Sequence, residues 1–231
     1  MRLASVIDIS LVDVPGMPVS VLFTGGCNFN CPYCQNSELI PLRSGNEVPV
    51  DEIAERVQGG LSEGYCITGG EPTIHGDLPM LLQRLRRECE KHLNLNTQGS
   101  VPQILASCIP FLDSIWFDIK TAPEKYPEVI RTQRNPWDQV EFSLRKVLDS
   151  DVQIWPRTTF ASKLMNSQDL VRVMEVLSEM GFRGEYVVQN YVESAGVSDE
   201  GRLCCVKPEL SEVQTITECA PAGIQVRFDW R

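Results

Sequence analysis

The feature that most restricts how this chain can fold is a regular alternation of short apolar runs with amphipathic segments. Runs suited to strands occupy residues 19–24, 65–68, 92–96, 113–118, 152–159 and 186–189. Between them, residues 51–63, 78–91, 101–107, 137–148 and 167–180 read as helices. In 51–63 the apolar residues Ile53, Ala54, Val57 and Leu61 fall at helical spacing. In the last segment Leu170, Val173, Met174 and Leu177 form the apolar face, Asn166 or Ser167 can cap it, and Gly181 follows its end. Six β-then-α units imply a parallel sheet with right-handed crossovers. Six are too few for an eight-stranded closed barrel. The expectation is an α/β fold, a partial open (β/α)6 TIM-like barrel with a short C-terminal helix–strand extension.

Residues 1–16 read as a short lead-in, and 208–231 as a helix followed by a strand at 224–228. Repeats, low-complexity tracts and Gly/Ser linkers are absent from the sequence. The 231 residues are therefore expected to form a single domain, with a core at 17–192 and an extension at 193–231.

Bulk properties exclude some functions. The net charge of −10 disfavours a nucleic-acid binder, which needs a basic footprint to neutralise phosphates. No stretch approaches the roughly 20 apolar residues that cross a bilayer. The N-terminus carries Asp8 and Asp13 and lacks a signal-like apolar core, so a cytoplasmic location is expected. Gly-x-Ser-x-Gly, Gly-x-Gly-x-x-Gly and P-loop patterns do not occur.

Nine cysteines are many for a reducing compartment, where clustered thiols bind metal or react rather than pair. Three of them, Cys27, Cys31 and Cys34, are spaced C-x3-C-x2-C just after the first strand. Three thiolates on one loop can hold three corners of an iron–sulfur cubane and leave one iron without a protein ligand. A zinc site is the alternative; it wants four ligands, with His75 or a tail cysteine as the fourth. The spacing favours the cluster and leaves zinc open.

At this loop the sequence resembles a known family. Cys27-Asn28-Phe29-Asn30-Cys31-Pro32-Tyr33-Cys34, with Tyr33 as the aromatic before the third cysteine, is similar to the signature of the radical S-adenosylmethionine (SAM) superfamily. Leu11-Val12-Asp13-Val14-Pro15-Gly16 and Phe23-Thr24-Gly25-Gly26-Cys27 narrow the likeness to activating enzymes of glycyl radical enzymes, nearest the anaerobic ribonucleoside-triphosphate reductase activators. Gln35 departs from the histidine many relatives carry there. The resemblance runs from about Val12 to Tyr191. It implies one [4Fe–4S] cluster on Cys27, Cys31 and Cys34, with SAM filling the open iron. It further implies a glycyl radical partner, such as anaerobic ribonucleotide reductase, and flavodoxin or ferredoxin as electron donor.

Ligands of such folds bind at the carboxyl ends of the strands, and polar residues recur there. Gly69 and Gly70 permit close backbone approach, and Glu71 offers a carboxylate; the resemblance places this motif at the methionyl amino group. A plain tight turn is the alternative. Asn96 and Thr97 suit ribose hydroxyls, or else form a turn before Gly99, and relatives often carry an acid at Asn96. Asp118 and Lys120 project from one side of a strand and can pair. The resemblance makes them the catalytic Asp-x-Lys motif that positions SAM; a surface ion pair is the alternative. Arg157 is expected to meet the methionyl carboxylate or an anion beside the cluster, or to be an interior arginine paired with a carboxylate. Gln189 stands where the family contacts adenine, although some relatives have histidine.

Of the two histidines, His75 can line the site and His92 reads as structural. Cys66 reads as buried packing, and Cys204, Cys205 and Cys219 as an unassigned tail set. Two other functions remain open. One is a radical SAM enzyme acting on a small molecule, like the compact 7-carboxy-7-deazaguanine synthases. The other is a non-catalytic zinc or iron–sulfur module.

Overall fold

A computed structural model describes residues 1–88, 90–191, 196–197 and 209–229. Cys89, Cys204 and Cys205 lie outside the described residues.

Pro15 and Gly16 reverse the chain near its start. Gly16 has φ 72, and proline followed by a positive-φ glycine is the signature of a type II turn. The turn joins strand β1 (Arg2–Val14) to β2 (Met17–Thr24) as an antiparallel hairpin, with Val14 opposite Met17. Residues 2–14 are thus a long strand rather than a lead-in. Residues 7–9 and 11–12 are exposed on both faces of the strand, Ile7, Ile9, Leu11 and Val12 among them, which blurred the alternation a strand normally shows. β3 (Asn46–Glu47) pairs only with Arg2 and Leu3 of β1.

The remaining order is α1 (Val50–Val57), β4 (Gly64–Gly69), α2 (Leu78–Glu88), β5 (His92–Thr97), α3 (Pro102–Cys108) and β6 (Ser114–Asp118). Then come α4 (Tyr126–Val129), α5 (Trp137–Leu148), β7 (Gln153–Phe160), α6 (Ser167–Glu179), β8 (Gly184–Asn190), α7 (Leu210–Glu218) and β9 (Ile224–Asp229). All six expected strands and all five expected helices are present. α1 is shorter than its apolar periodicity suggested. It buries Ile53, Ala54 and Val57 but ends at Gln58, and Gly59 at φ 74 turns the chain away. Leu61 is left 87% exposed. α6 starts with a capping box, in which the Asn166 side chain accepts from the Asp169 N–H and the Asp169 carboxylate accepts from the Asn166 N–H.

The strands follow the order β3-β1-β2-β4-β5-β6-β7-β8-β9, so the sheet is open, with β3 and β9 as its edges. β4 runs parallel to β2 and to β5; β7 and β9 both run parallel to β8. Gln153 N–H donates to Asp113 O and, further along both strands, Ile119 N–H donates to Arg157 O, which sets β6 and β7 in the same direction.

The chain packs as two compact units, Met1–Asn28 with Glu38–Trp116 and Gln139–Ile154, and Phe29–Ser37 with Phe117–Asp138 and Trp155–Arg231. In the first, β2, β4 and β5 are covered on both faces. Val19, Val21, Leu22, Cys66, Ile67, Leu93 and Leu95 are all fully buried. Strands buried on both faces read as near-continuous apolar runs, which is why these were conspicuous in the sequence. In the second, Phe117, Phe160, Leu170, Met174, Leu177 and Val187 form the core. Each such side chain contributes about 1.5–3 kcal/mol on burial. Among the described residues no helix is long and apolar enough to cross a membrane.

Candidate active site

In the first unit the carboxyl ends of β2 and β4 are fastened together. Gly70 N–H donates to Thr24 O (2.9 Å), and Glu71 N–H donates to Gly26 O (2.8 Å). A side chain at Gly70 would collide with the Gly26 carbonyl. The close approach that the two glycines allow is therefore to the backbone of the cysteine turn. That turn is anchored on its other side as well. Gly26 N–H is shared between Leu39 O (2.8 Å) and Ser44 Oγ (2.9 Å), and Cys27 N–H donates to Ile40 O (3.0 Å). His75 Nε2 bonds Gly25 O at 2.9 Å, so it supports this turn.

Glu71 is 1% exposed, and its carboxylate receives four hydrogen bonds. Oε1 accepts from the Thr73 N–H (3.0 Å), the Thr73 hydroxyl (2.6 Å) and the Thr97 hydroxyl (2.6 Å). Oε2 accepts from the Gln98 N–H at 2.9 Å. Burial pushes the carboxyl pKa up, and these donors oppose the rise. The Thr97 hydroxyl also accepts from Gly99 N–H (3.1 Å), so Thr97 is committed to the turn. Gln98 extends the network: its Nε2 donates to Asn28 Oδ1 (2.9 Å) and Ser100 Oγ (2.8 Å). Asn28 thus ties the residue after Cys27 to the Glu71 cluster. The Asn96 carboxamide is half-buried and accepts from the Cys66 thiol at 3.7 Å, which also donates to Asn94 Oδ1 at 3.3 Å. His92 Nε2 bonds Ser114 Oγ at 2.7 Å within the sheet.

The second unit contains Cys31, Tyr33, Cys34, Asp118, Lys120, Arg157 and Gln189. The pairing expected of Asp118 and Lys120 is present: Lys120 Nζ lies 3.1 Å from Asp118 Oδ2. Arg157 Nε lies 2.7 Å from the other oxygen, Asp118 Oδ1. Burial alone would raise the Asp118 pKa, but Arg157 and then Lys120 outweigh it and hold the carboxyl at about 2. The Lys120 pKa is raised; desolvation opposes this, and Asp118 followed by Cys31 overcomes it. Burial is also the main reason the Cys31 thiol rises to about 11, with Lys120 pulling the other way. Lys120 and Cys31 thus share one electrostatic neighbourhood.

The backbone here is held by buried side chains that the sequence reading did not single out. Lys120 N–H donates to Tyr126 Oη (3.1 Å), and Ile119 O accepts from Thr158 Oγ1 (2.6 Å). The Tyr186 hydroxyl donates in turn to Thr158 Oγ1 (2.6 Å). Phe29 meets Tyr126 edge-on at 6.4 Å, and Asn30 N–H donates to Ile130 O at 3.0 Å. Cys34 N–H donates to Cys31 O (3.1 Å) and closes the loop between those two cysteines. Gln189 Nε2 donates to Asp229 Oδ2 at 3.4 Å.

Cys27, Cys31 and Cys34 are in no disulfide and all partly exposed, whereas Cys66 and Cys108 are buried. Among the described residues no three His, Cys, Asp or Glu side chains converge as a metal site. What fits an iron–sulfur cluster is the donor set: three thiols on one short loop, outside any disulfide, with a lysine ammonium bearing on one of them. The fit to an organic ligand rests on the Tyr33 hydroxyl, between two of the cysteines, which is buried without a partner of hydrogen-bonding geometry. Tyr33 interacts with Cys31 and lowers the thiol pKa against the rise that burial causes.

An open α/β sheet with this cysteine loop after its first parallel strand defines a class. Residues 21–202 match the Radical SAM superfamily, and the chain belongs to it. It is a radical SAM enzyme. A protein of Methanocaldococcus jannaschii, named provisionally as a glycyl-radical enzyme activating enzyme, is 25% identical over 223 residues, covering 94% of this chain and 90% of that protein. The 7-carboxy-7-deazaguanine synthase of a Synechocystis strain is 28% identical over 134 residues, covering 53% of this chain and 60% of that protein. Streptococcus suis SuiB bound to S-adenosylmethionine shares the fold with a TM-score of 0.65 at 16% identity. That match covers 88% of this chain but only 48% of SuiB.

Proposed function

We propose that the chain activates a glycyl radical enzyme, such as an anaerobic ribonucleotide reductase. In this reading Cys27, Cys31 and Cys34 hold a [4Fe–4S] cluster. SAM completes the site, and flavodoxin or ferredoxin delivers the electron. A reduced cluster held by these three cysteines would supply the one electron that cleaves SAM reductively, the chemistry by which a hydrogen atom would be taken from the partner's glycine. The chain's own residues bind, orient and shield. Lys120 and Asp118 present a fixed charge pair beside Cys31, and Arg157 neutralises the remaining side of Asp118. Tyr33 offers a buried hydroxyl between Cys31 and Cys34. The Glu71–Thr97 pair shapes the glycine turn behind Cys27, and the half-buried Asn96 takes the expected ribose contact.

The observation that carries this reading is the M. jannaschii likeness, which extends over nearly the whole of both chains. The Synechocystis match supports a small-molecule substrate instead, but over about half of this chain. Anaerobic reconstitution with iron and sulfide, followed by reduction and mixing with SAM and a co-encoded glycyl radical enzyme, separates the two. The expected result is 5′-deoxyadenosine formation together with a glycyl doublet in the electron paramagnetic resonance spectrum. SAM cleavage without a doublet on any partner would favour the small-molecule reading.

A further inference from the structure

The peptide group between Ile119 and Lys120 is gripped on both of its polar atoms by buried side chains. Its carbonyl accepts the Thr158 hydroxyl, which accepts the Tyr186 hydroxyl in turn, both at 2.6 Å. Its N–H donates to the Tyr126 hydroxyl at 3.1 Å. Tyr126, Tyr186 and Thr158 are almost wholly buried, so water does not substitute readily for any of the three. Strand pairing does not do this work. β6 ends at Asp118, and the last backbone donation to β7 is from Ile119 N–H to Arg157 O. Lys120 is the first residue beyond the ladder, and among the described residues its N–H is met by a side chain, that of Tyr126.

The same tyrosine also supports the cysteine loop. Its ring meets Phe29 edge-on at 6.4 Å and Trp137 at 5.4 Å. Four residues along, Ile130 O receives the Asn30 N–H, and Arg131 completes the hook with φ 54, a left-handed conformation that non-glycine residues adopt at a cost. Residues 126–131 thus grip the chain before Cys31 at two points and the backbone of Lys120 at a third.

We propose that Tyr126 is a positioning residue that, with Thr158 and Tyr186 clamping the other side of the Ile119–Lys120 peptide, sets the Lys120 ammonium relative to the cysteine loop and so to bound SAM. The proposal rests on the functional reading above for the identity of the ligand and on geometry alone for the clamp. Tyr126 acts through Lys120, not on the ligand. A rigid mount is what a lysine needs here, because its long side chain has rotamer freedom that a single pairing to Asp118 leaves partly unspent.

Two measurements test this. The first needs no cofactor: amide hydrogen exchange at Lys120 in the apoprotein, comparing Tyr126→Phe and Thr158→Val with Tyr65→Phe. Tyr65→Phe removes a buried hydroxyl bonded to Val57 O at 3.4 Å, in the first unit, and controls for general loosening. Tyr126→Phe and Thr158→Val are expected to speed Lys120 exchange by about tenfold beyond the control. Equal exchange in all three variants would overturn the clamp. The second is the affinity of the reconstituted enzyme for SAM, in native and Lys120→Met backgrounds. Tyr126→Phe is expected to weaken SAM binding several-fold while leaving iron content unchanged, and to add nothing once Lys120 is methionine. An undiminished effect in the Lys120→Met background would assign Tyr126 a general structural role. Failure of the native enzyme to bind SAM would overturn the functional reading, and the exchange measurement would still decide the clamp.

Discussion

The Thr97 hydroxyl donates to Glu71 Oε1 at 2.6 Å, and the backbone N–H of the next residue, Gln98, donates to Glu71 Oε2. One carboxylate thereby joins the end of β5 to the turn after β4. Two of its donors, the Thr73 and Gln98 N–H groups, are backbone and cannot rotate away, and each serves a different oxygen.

That division makes Glu71→Gln a sharp test. Whichever way the amide is placed, its NH2 faces a fixed N–H. The variant is expected to lose about 2–3 kcal/mol, the sum of a lost charge-assisted bond and a buried donor left unpaired. Thr97→Val removes one donor to Glu71 and also the acceptor of the Gly99 N–H, without reversing any bond at the carboxylate, and should cost about 1–3 kcal/mol. Urea unfolding of the apoproteins measures both. Equal midpoints for Glu71→Gln and the native chain would contradict the described network.

Gly70→Ala should be far more harmful than Gly16→Ala, although only Gly16 has a positive φ. A methyl at Gly70 drives into the Gly26 carbonyl, which is backbone and held in place by neighbouring bonds. At Gly16 a methyl meets open space, and the cost is the strain of φ 72 alone, about 1 kcal/mol. Thermal unfolding is expected to show a modest shift for Gly16→Ala and, for Gly70→Ala, loss of several kcal/mol or no folded protein. The reverse order would mean that the two turns are not fastened as described.

Much of this architecture was visible in the sequence, for a physical reason. Strands covered on both faces are mostly apolar and bury polar residues only with partners, as Asn94 is buried with Cys66 and Ser114, so β2, β4, β5 and β6 stood out. β1 did not, because residues on both its faces meet solvent and Asp8 and Asp13 interrupt the pattern; Pro15-Gly16 was the available signal. Leu61 keeps the helical spacing of α1, but the stop at Gly59 ends the helix before it. Within the site, the Asp118–Lys120 pair was legible because residues two apart share a face of a strand. The partners of Glu71 were not, since Thr97 and Gln98 come from the following strand and nothing local announces them. Tyr126 was hidden for the same reason: its hydroxyl reaches Lys120 only through the turn between them.

Replacing Cys27, Cys31 or Cys34 singly by Ala should abolish retention of the reconstituted cluster, because each supplies one of only three proposed thiolates. Cys66→Ala should keep it. That thiol is buried and bonded to Asn94, so its loss leaves a small cavity and costs about 1–2 kcal/mol of stability. Iron and sulfide content after desalting, set beside unfolding midpoints, distinguishes the two kinds of cysteine. Retention of stoichiometric iron by Cys31→Ala would remove it from the ligand set.

Asp118 gives the apoprotein a defined acid sensitivity. Arg157 and Lys120 hold its carboxyl at about 2, below the ordinary 3.8, so the folded state binds this proton less readily than the unfolded chain. The stabilisation is complete above pH 4 to 5 and is lost as the pH falls toward 2, amounting to about 2 kcal/mol. Asp118→Asn removes that dependence and leaves two cations facing a neutral amide; its cost at neutral pH should be about 3 kcal/mol, tempered by the partial exposure of both partners. Urea unfolding from pH 7 to pH 2.5 should therefore show the native curve falling toward that of the variant, with most of the convergence below pH 4. Parallel curves over this range would mean that the Asp118 charge is not held by Arg157 and Lys120 in solution.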